Sequence, residues 1–203
     1  RGSAALALKR IRDRHPVAVA ESAWSDVVQA LVAAMQDPDE RVRANSAMLL
    51  GELENAQAVD PLTRVLGDES EEVREQAVIA LGSIGDPRCV EPVASLLTDR
   101  SPSLRAQVAL TLGEMQDRSA IPSLTTALAD GEASVRACAA LSLGMLADSH
   151  IVDTFLQELS GPDAEKRGLA AIALGPAGDI RAVDALIAAL QDPDSVVRAS
   201  AVS

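Results

Sequence analysis

Apolar residues recur along this chain at spacings of three and four, and the same triplet returns at a fixed interval. The triplets are Val28/Leu31/Met35, Val59/Leu62/Leu66, Val90/Val93/Leu97, Ile121/Leu124/Leu128, Val152/Phe155/Leu159 and Val183/Leu186/Leu190. That spacing is one face of a helix, here helix A. A polar turn follows, such as Asp37-Pro38-Asp39, Gly161-Pro162-Asp163 or Asp192-Pro193-Asp194. A second helix, helix B, then opens on Val42-Arg43, Val73-Arg74, Leu104-Arg105, Val135-Arg136, Lys166-Arg167 or Val197-Arg198. The first five of these run on to a Leu-Gly pair, as in Leu81-Gly82. Successive starts at 42, 73, 104, 135, 166 and 197 are 31 residues apart with no insertion, the mark of a repeat architecture. Gly85-Asp86-Pro87 and Gly178-Asp179 end the unit, with Gly suited to a left-handed cap and Asp to capping the next helix.

Helices this short are not stable alone. One pair cannot bury its apolar faces, but stacked pairs can. The pattern therefore predicts an all-α fold, an α-solenoid of stacked antiparallel helix pairs. Residues 26–203 divide into units at about 26–55, 56–86, 87–117, 118–148, 149–179 and 180–203, the last truncated. Residues 1–25 read as an N-terminal helix or degenerate capping repeat, with a helix over 3–15 ended by Pro16. Ser203 falls inside a helix B, and an uncapped end exposes a stacking face. The expectation is that the natural protein continues with more repeats.

The combination of Val-Arg-x-x-Ala-Ala-x-x-Leu-Gly and Gly-Asp-x-x-Ala-Val at a 31-residue period resembles HEAT repeats, in the short subclass named after phycobilisome (PBS) lyases. The resemblance covers residues 26–203. It implies a right-handed solenoid and an Asp–Arg hydrogen-bonded ladder between repeats. The matching residues are Asp37/Arg43, Asp68/Arg74, Asp99/Arg105, Asp130/Arg136 and Asp192/Arg198. The unit at Arg167 departs, with Gly161 in place of Asp and Lys166 in place of an aliphatic residue, so it is either looser or locally specialised. Iron-dependent HEAT hydroxylases carry His-Glu motifs on their helices, and this chain has none.

Composition narrows the function. With 48% hydrophobic residues but one Phe, one Trp and no Tyr, the core must be built from Ala, Leu, Val and Ile. A net charge of −12 argues against nucleic acid, which needs clustered Lys and Arg. The densest acidic run, Asp68, Glu69, Glu71, Glu72 and Glu75, reads as a solvated rim. Cys89 and Cys138 sit at different points of the repeat and read as reduced thiols of a cytoplasmic protein. No apolar run approaches the roughly 18 residues of a membrane span. His15 and His150 are not spaced for a shared metal, and no phosphate-binding loop or nucleophile elbow appears. No catalytic, cofactor-binding or metal-binding residues are assigned. An Arg column could bind anions, but repeated Arg beside repeated Asp is better explained by internal pairing.

One column stands out. At 100° per residue, Val42, Ser46, Leu50 and Leu53 fall on the core side of helix B, and positions 41, 45, 48 and 52 on the other. The residues at position 48 and its equivalents are Met48, Ile79, Leu110, Leu141 and Ile172, all large and aliphatic. Gln76, Gln107, Cys138 and Leu169 flank them at position 45, and Met145 at position 52. The stripe is either packed between neighbouring B helices or open as a groove for a partner's apolar helix, with an acidic rim suited to basic flanks. The expected function is a non-catalytic protein-interaction scaffold. The alternatives are a lyase-like or chaperone subunit handling a tetrapyrrole, as the resemblance implies, and a structural spacer within a larger repeat protein.

Overall fold

The computed structural model describes residues 21–202. The predicted helix over 3–15, and most of the 1–25 segment, lie outside them. Twelve α-helices alternate between the two predicted types among the described residues. The A helices are α1 (Glu21–Ala34), α3 (Val59–Val65), α5 (Val90–Ala94), α7 (Ile121–Ala127), α9 (Ser149–Leu159) and α11 (Val183–Ala189). The B helices are α2 (Glu40–Glu52), α4 (Glu71–Ile84), α6 (Pro102–Glu114), α8 (Ala133–Met145), α10 (Ala164–Ala177) and α12 (Ser195–Ser200). The first A helix starts at Glu21, ahead of the expected Asp26. The short A helices α3, α5, α7 and α11 each begin with a 3₁₀ turn.

Side-chain caps set these boundaries. Asp39 accepts the Arg41 N–H, Asp163 those of Glu165 and Lys166, and Asp194 that of Val196. Asn55, Asp86, Asp117 and Asp179 do the same for the 3₁₀ turns. At the turn after helix B, Gly85 and Gly178 adopt φ of 65° and 61°. Glu54 and Gln116 hold the same left-handed position without glycine, at φ 49° and 55°. Gln116 also caps its helix, its Nε2 donating to the Gly113 carbonyl at 2.8 Å.

The chain divides between Leu96 and Leu97 into two compact units. In the first, α4 packs along α2, and α1 and α3 cover them. In the second, α6, α8, α10 and α12 pack in sequence, with α7 lying on α8 and α9 on α10. Leu50, Leu62 and Leu81 fill the first core, and Leu112, Leu124 and Leu174 the second. Helix α2 meets α4, α6 meets α8 and α8 meets α10 at a glycine. A Cβ on Gly51 would lie 2.6 Å from Ala80 Cα, and one on Gly144 would lie 2.1 Å from the Ala173 carbonyl oxygen. Between α6 and α8, Ser142 Oγ donates to the Ala109 carbonyl at 2.7 Å. This buried hydroxyl therefore has a partner.

The expected core face needs one correction. Ser46, Leu50 and Leu53 are buried, but Val42 is 37% exposed. Its counterparts Val73, Leu104, Val135 and Val197 are at most 1% exposed. Helix α2 is the first B helix among the described residues, so no described B helix precedes it to cover Val42.

Candidate functional site

The Arg column is structural. Arg43 donates from Nε and Nη2 to both carboxylate oxygens of Asp68, each at 2.8 Å, within the first unit. In the second unit Arg105 grips Asp130 and Arg167 grips Asp192 in the same fork. Each Arg also reaches back through Nη1 to a carbonyl six residues earlier, at Asp37, Asp99 and Gly161. The ladder therefore runs between repeats, as the resemblance implies: within a repeat the Arg meets backbone, and the carboxylate contact runs to the repeat that follows. Each carboxylate is aimed by its own turn, since Asp68 Oδ1 also accepts the Ser70 N–H. The guanidinium fork holds Asp68, Asp130 and Asp192 below the usual carboxylate range. Where Gly161 replaces the Asp, Arg136 turns to Glu165 in the first turn of α10 instead. A bidentate, charge-assisted fork leaves little guanidinium free for an external anion.

The stripe positions are neither buried nor isolated. Met48, Leu110, Leu141 and Ile172 are half-buried, and Ile79 is 37% exposed. The residues on either side explain this. Ala47, Val78, Ala109, Ala140 and Ala171 are buried, as are Ala80, Thr111, Ser142 and Ala173. Small residues on these flanks close the seams between B helices within each unit and leave the larger residue facing outward; after Met48 the flank is Leu49, which is itself half-buried. In the second unit Leu110, Leu141 and Ile172 stand on the consecutive packed helices α6, α8 and α10. In the first, Met48 and Ile79 stand on α2 and α4.

The flanking residues divide. Gln76 and Met145 are half-buried. Gln107 Nε2 donates to Thr111 Oγ1 at 3.3 Å on its own helix. Cys138 is a free, half-buried thiol whose pKa burial raises, so it is a poor nucleophile. Cys89 is free and fully buried, with its pKa pushed up to about 11. Leu169 lines a different feature, a cavity of about 580 Å³ in the second unit. Helices α7 and α9 form its walls, Leu143 of α8 contributes, and Lys166 stands at its margin. The Lys166 ammonium meets the Glu158 carboxylate at 3.9 Å. His150 also lines this cavity. Sequence reasoning missed the cavity; the signal was the unusual Lys166. Among the described residues no three His, Cys, Asp or Glu side chains gather as metal ligands would, and no helix is long and apolar enough to cross a membrane.

A family model described as HEAT repeats matches residues 28–99, 90–150 and 152–203. The chain belongs to the HEAT repeat family. The chain is similar to a chain in the structure of the complex of CpcE and CpcF of phycocyanin lyase from Nostoc sp. PCC7120. That likeness has 26% identity and a TM-score of 0.55, over 80% of this chain and 68% of the other. An engineered protein is similar at 22% identity and TM-score 0.53, over 87% of this chain and 93% of its own. A computationally designed armadillo repeat protein for modular peptide recognition is similar at 17% identity and TM-score 0.53, over 86% and 96%. The latter two likenesses show the fold alone, an all-α solenoid of helix pairs. No curated protein matches the chain.

Proposed function

We propose that this HEAT repeat protein is a non-catalytic scaffold that holds a partner polypeptide along its B helices. The observation that carries the reading is the stripe. All five equivalents of position 48 are large aliphatics that retain exposed surface, while the neighbours of Ile79, Leu110, Leu141 and Ile172 are buried on both sides and Met48 has buried Ala47 on one side. Met48 and Ile79 serve as anchors on the first unit, with Gln76 beside them, and Leu110, Leu141 and Ile172 on the second, with Gln107, Cys138 and Met145 beside them. An amphipathic helix is a standard way to cover such a face. The net charge of −12 favours a helix with basic flanks. The test uses an identified partner and purified components. The triple variant Ile79→Glu, Leu110→Glu, Leu141→Glu is expected to keep its helical circular dichroism and lose the partner. Retained binding in the folded variant would move the contact off the stripe.

A second reading rests on the likeness to the phycocyanin lyase complex. In it the chain is a lyase-like or chaperone subunit that handles a tetrapyrrole. Incubation with free bilin followed by gel filtration tests it, since a visible absorbance band should travel with the protein.

A further inference from the structure

The repeats supply their own control, because each position has counterparts in the other units. Around the cavity in the second unit, that control is broken at several positions at once. Lys166 stands where Val73, Leu104, Val135 and Val197 are buried. Glu158 stands where Val65, Ala127 and Ala189 are buried. Phe155 stands where Leu62, Val93 and Leu124 are, and Leu169 where Asn45, Gln76, Gln107 and Cys138 are. All four departing residues line the one cavity.

The physical consequence is direct. An aliphatic residue at 166 would be buried, as every counterpart but Val42 of the first B helix is, but an ammonium cannot stay unpaired in an apolar slot. Lys166 extends outward, with its side chain 60% exposed, and the space stays open. The walls are apolar, with Ile121 and Leu128 facing Ile151 and Phe155. Thr125 and Thr154 donate their hydroxyls to their own helices, at 2.8 Å and 3.0 Å, and so offer no free donor. On α9 the lining runs from His150 to Glu158, a length of about 12 Å at the helical rise. A slot of that length between two helices suits a chain rather than a disc. At its mouth the 3.9 Å contact to Glu158 is too long to be a hydrogen bond, so the ammonium keeps donors for a ligand. Glu158 is the carboxylate that lines the cavity beside this ammonium and offsets part of its charge, whereas acidic groups beyond about 8 Å act weakly because they are screened at physiological salt.

We propose that this cavity binds a linear amphipathic carboxylate, a medium-chain alkyl acid lying between α7 and α9 with its carboxylate on Lys166. The proposal does not depend on the B-helix stripe. It is tested on the full chain by titration calorimetry with octanoate, decanoate and decylamine. Decanoate is expected to bind at one site, roughly fourfold tighter for each methylene added to octanoate. Lys166→Val restores the residue of the sister repeats and should fold, yet bind decanoate at least about tenfold more weakly, the scale of one lost charge-assisted contact. Lys166→Arg should retain binding, and Leu169→Gln should weaken it. The Ile79→Glu, Leu110→Glu, Leu141→Glu variant should bind decanoate as the parent does, which separates this site from the scaffold surface. Decylamine binding as tightly as decanoate, unchanged binding by Lys166→Val, or no saturable binding of decanoate would each overturn the proposal.

Discussion

Gly144 and Gly175 occupy the same position of consecutive repeats, but their surroundings differ. A Cβ on Gly144 would meet the Ala173 carbonyl oxygen and Pro176, and one on Gly175 would meet nothing within 4 Å. Gly144→Ala should therefore destabilise by about 1–3 kcal/mol or more, since backbone must shift. Gly175→Ala should stabilise by up to about 1 kcal/mol through helix propensity alone. Urea denaturation followed by circular dichroism distinguishes the two, and equal effects would mean that α8 and α10 do not meet at Gly144. The ladder carboxylates give a second residue-level prediction. Asp68, Asp130 and Asp192 titrate below their ordinary value of 3.8 because each accepts a guanidinium fork. The stability they contribute is fully present above about pH 4 and is lost as the pH falls through their folded values. The denaturation midpoint should drop in that acid window, and Asp130→Asn should flatten the drop while lowering the midpoint at neutral pH. The Asp and Arg columns were legible in the sequence, but their pairing was not. Spacing gave a ladder between repeats without saying which Asp meets which Arg, and the turns at Asp68, Asp130 and Asp192 aim their carboxylates at Arg43, Arg105 and Arg167 of the preceding repeat.

At the scale of elements, the period announced nearly everything that periodicity can carry. The alternation of A and B helices, their polar turns and the Gly caps at 85 and 178 all follow from spacing and residue type. The left-handed turns at Glu54 and Gln116 did not, because a conformation held by non-glycine residues leaves no mark in composition. Leu169 shows the limit of a helical wheel. Its angle put it beside the stripe, but one flanking position can face either a seam or a cavity, and only the neighbouring A helices decide. The same applies to Lys166, Glu158 and Phe155, which lie on different helices and acquire a common meaning only when α9 and α10 are brought together. Helix α10 carries the clearest element-level prediction. Lys166→Val should raise stability by roughly 1–2 kcal/mol, the value of burying a small aliphatic side chain. Thermal or urea unfolding of the variant measures it, and a loss of stability would mean that Lys166 supports α10 rather than holding the slot open.

For the molecule as a whole, charge and apolar surface should act on different steps of binding. The net charge of −12 is long-ranged and nonspecific, whereas the stripe acts only in contact. Electrostatic attraction speeds the encounter and is screened by salt, and buried apolar contact slows departure and is not. For a partner helix with basic flanks, raising sodium chloride from about 0.05 M to 0.5 M should cut the association rate by about tenfold or more and leave the dissociation rate nearly constant. The Ile79→Glu, Leu110→Glu, Leu141→Glu variant should do the opposite, since its added acids keep the steering while its lost contacts speed release. Surface plasmon resonance at two salt concentrations resolves both rates. If salt instead changes mainly the dissociation rate, the acidic groups lie within the contact, and the partner is held by the rim rather than by Leu110, Leu141 and their equivalents. If the variant loses association rate, the aliphatic residues shape the encounter itself, and the stripe and the charge cannot be treated as separate contributions.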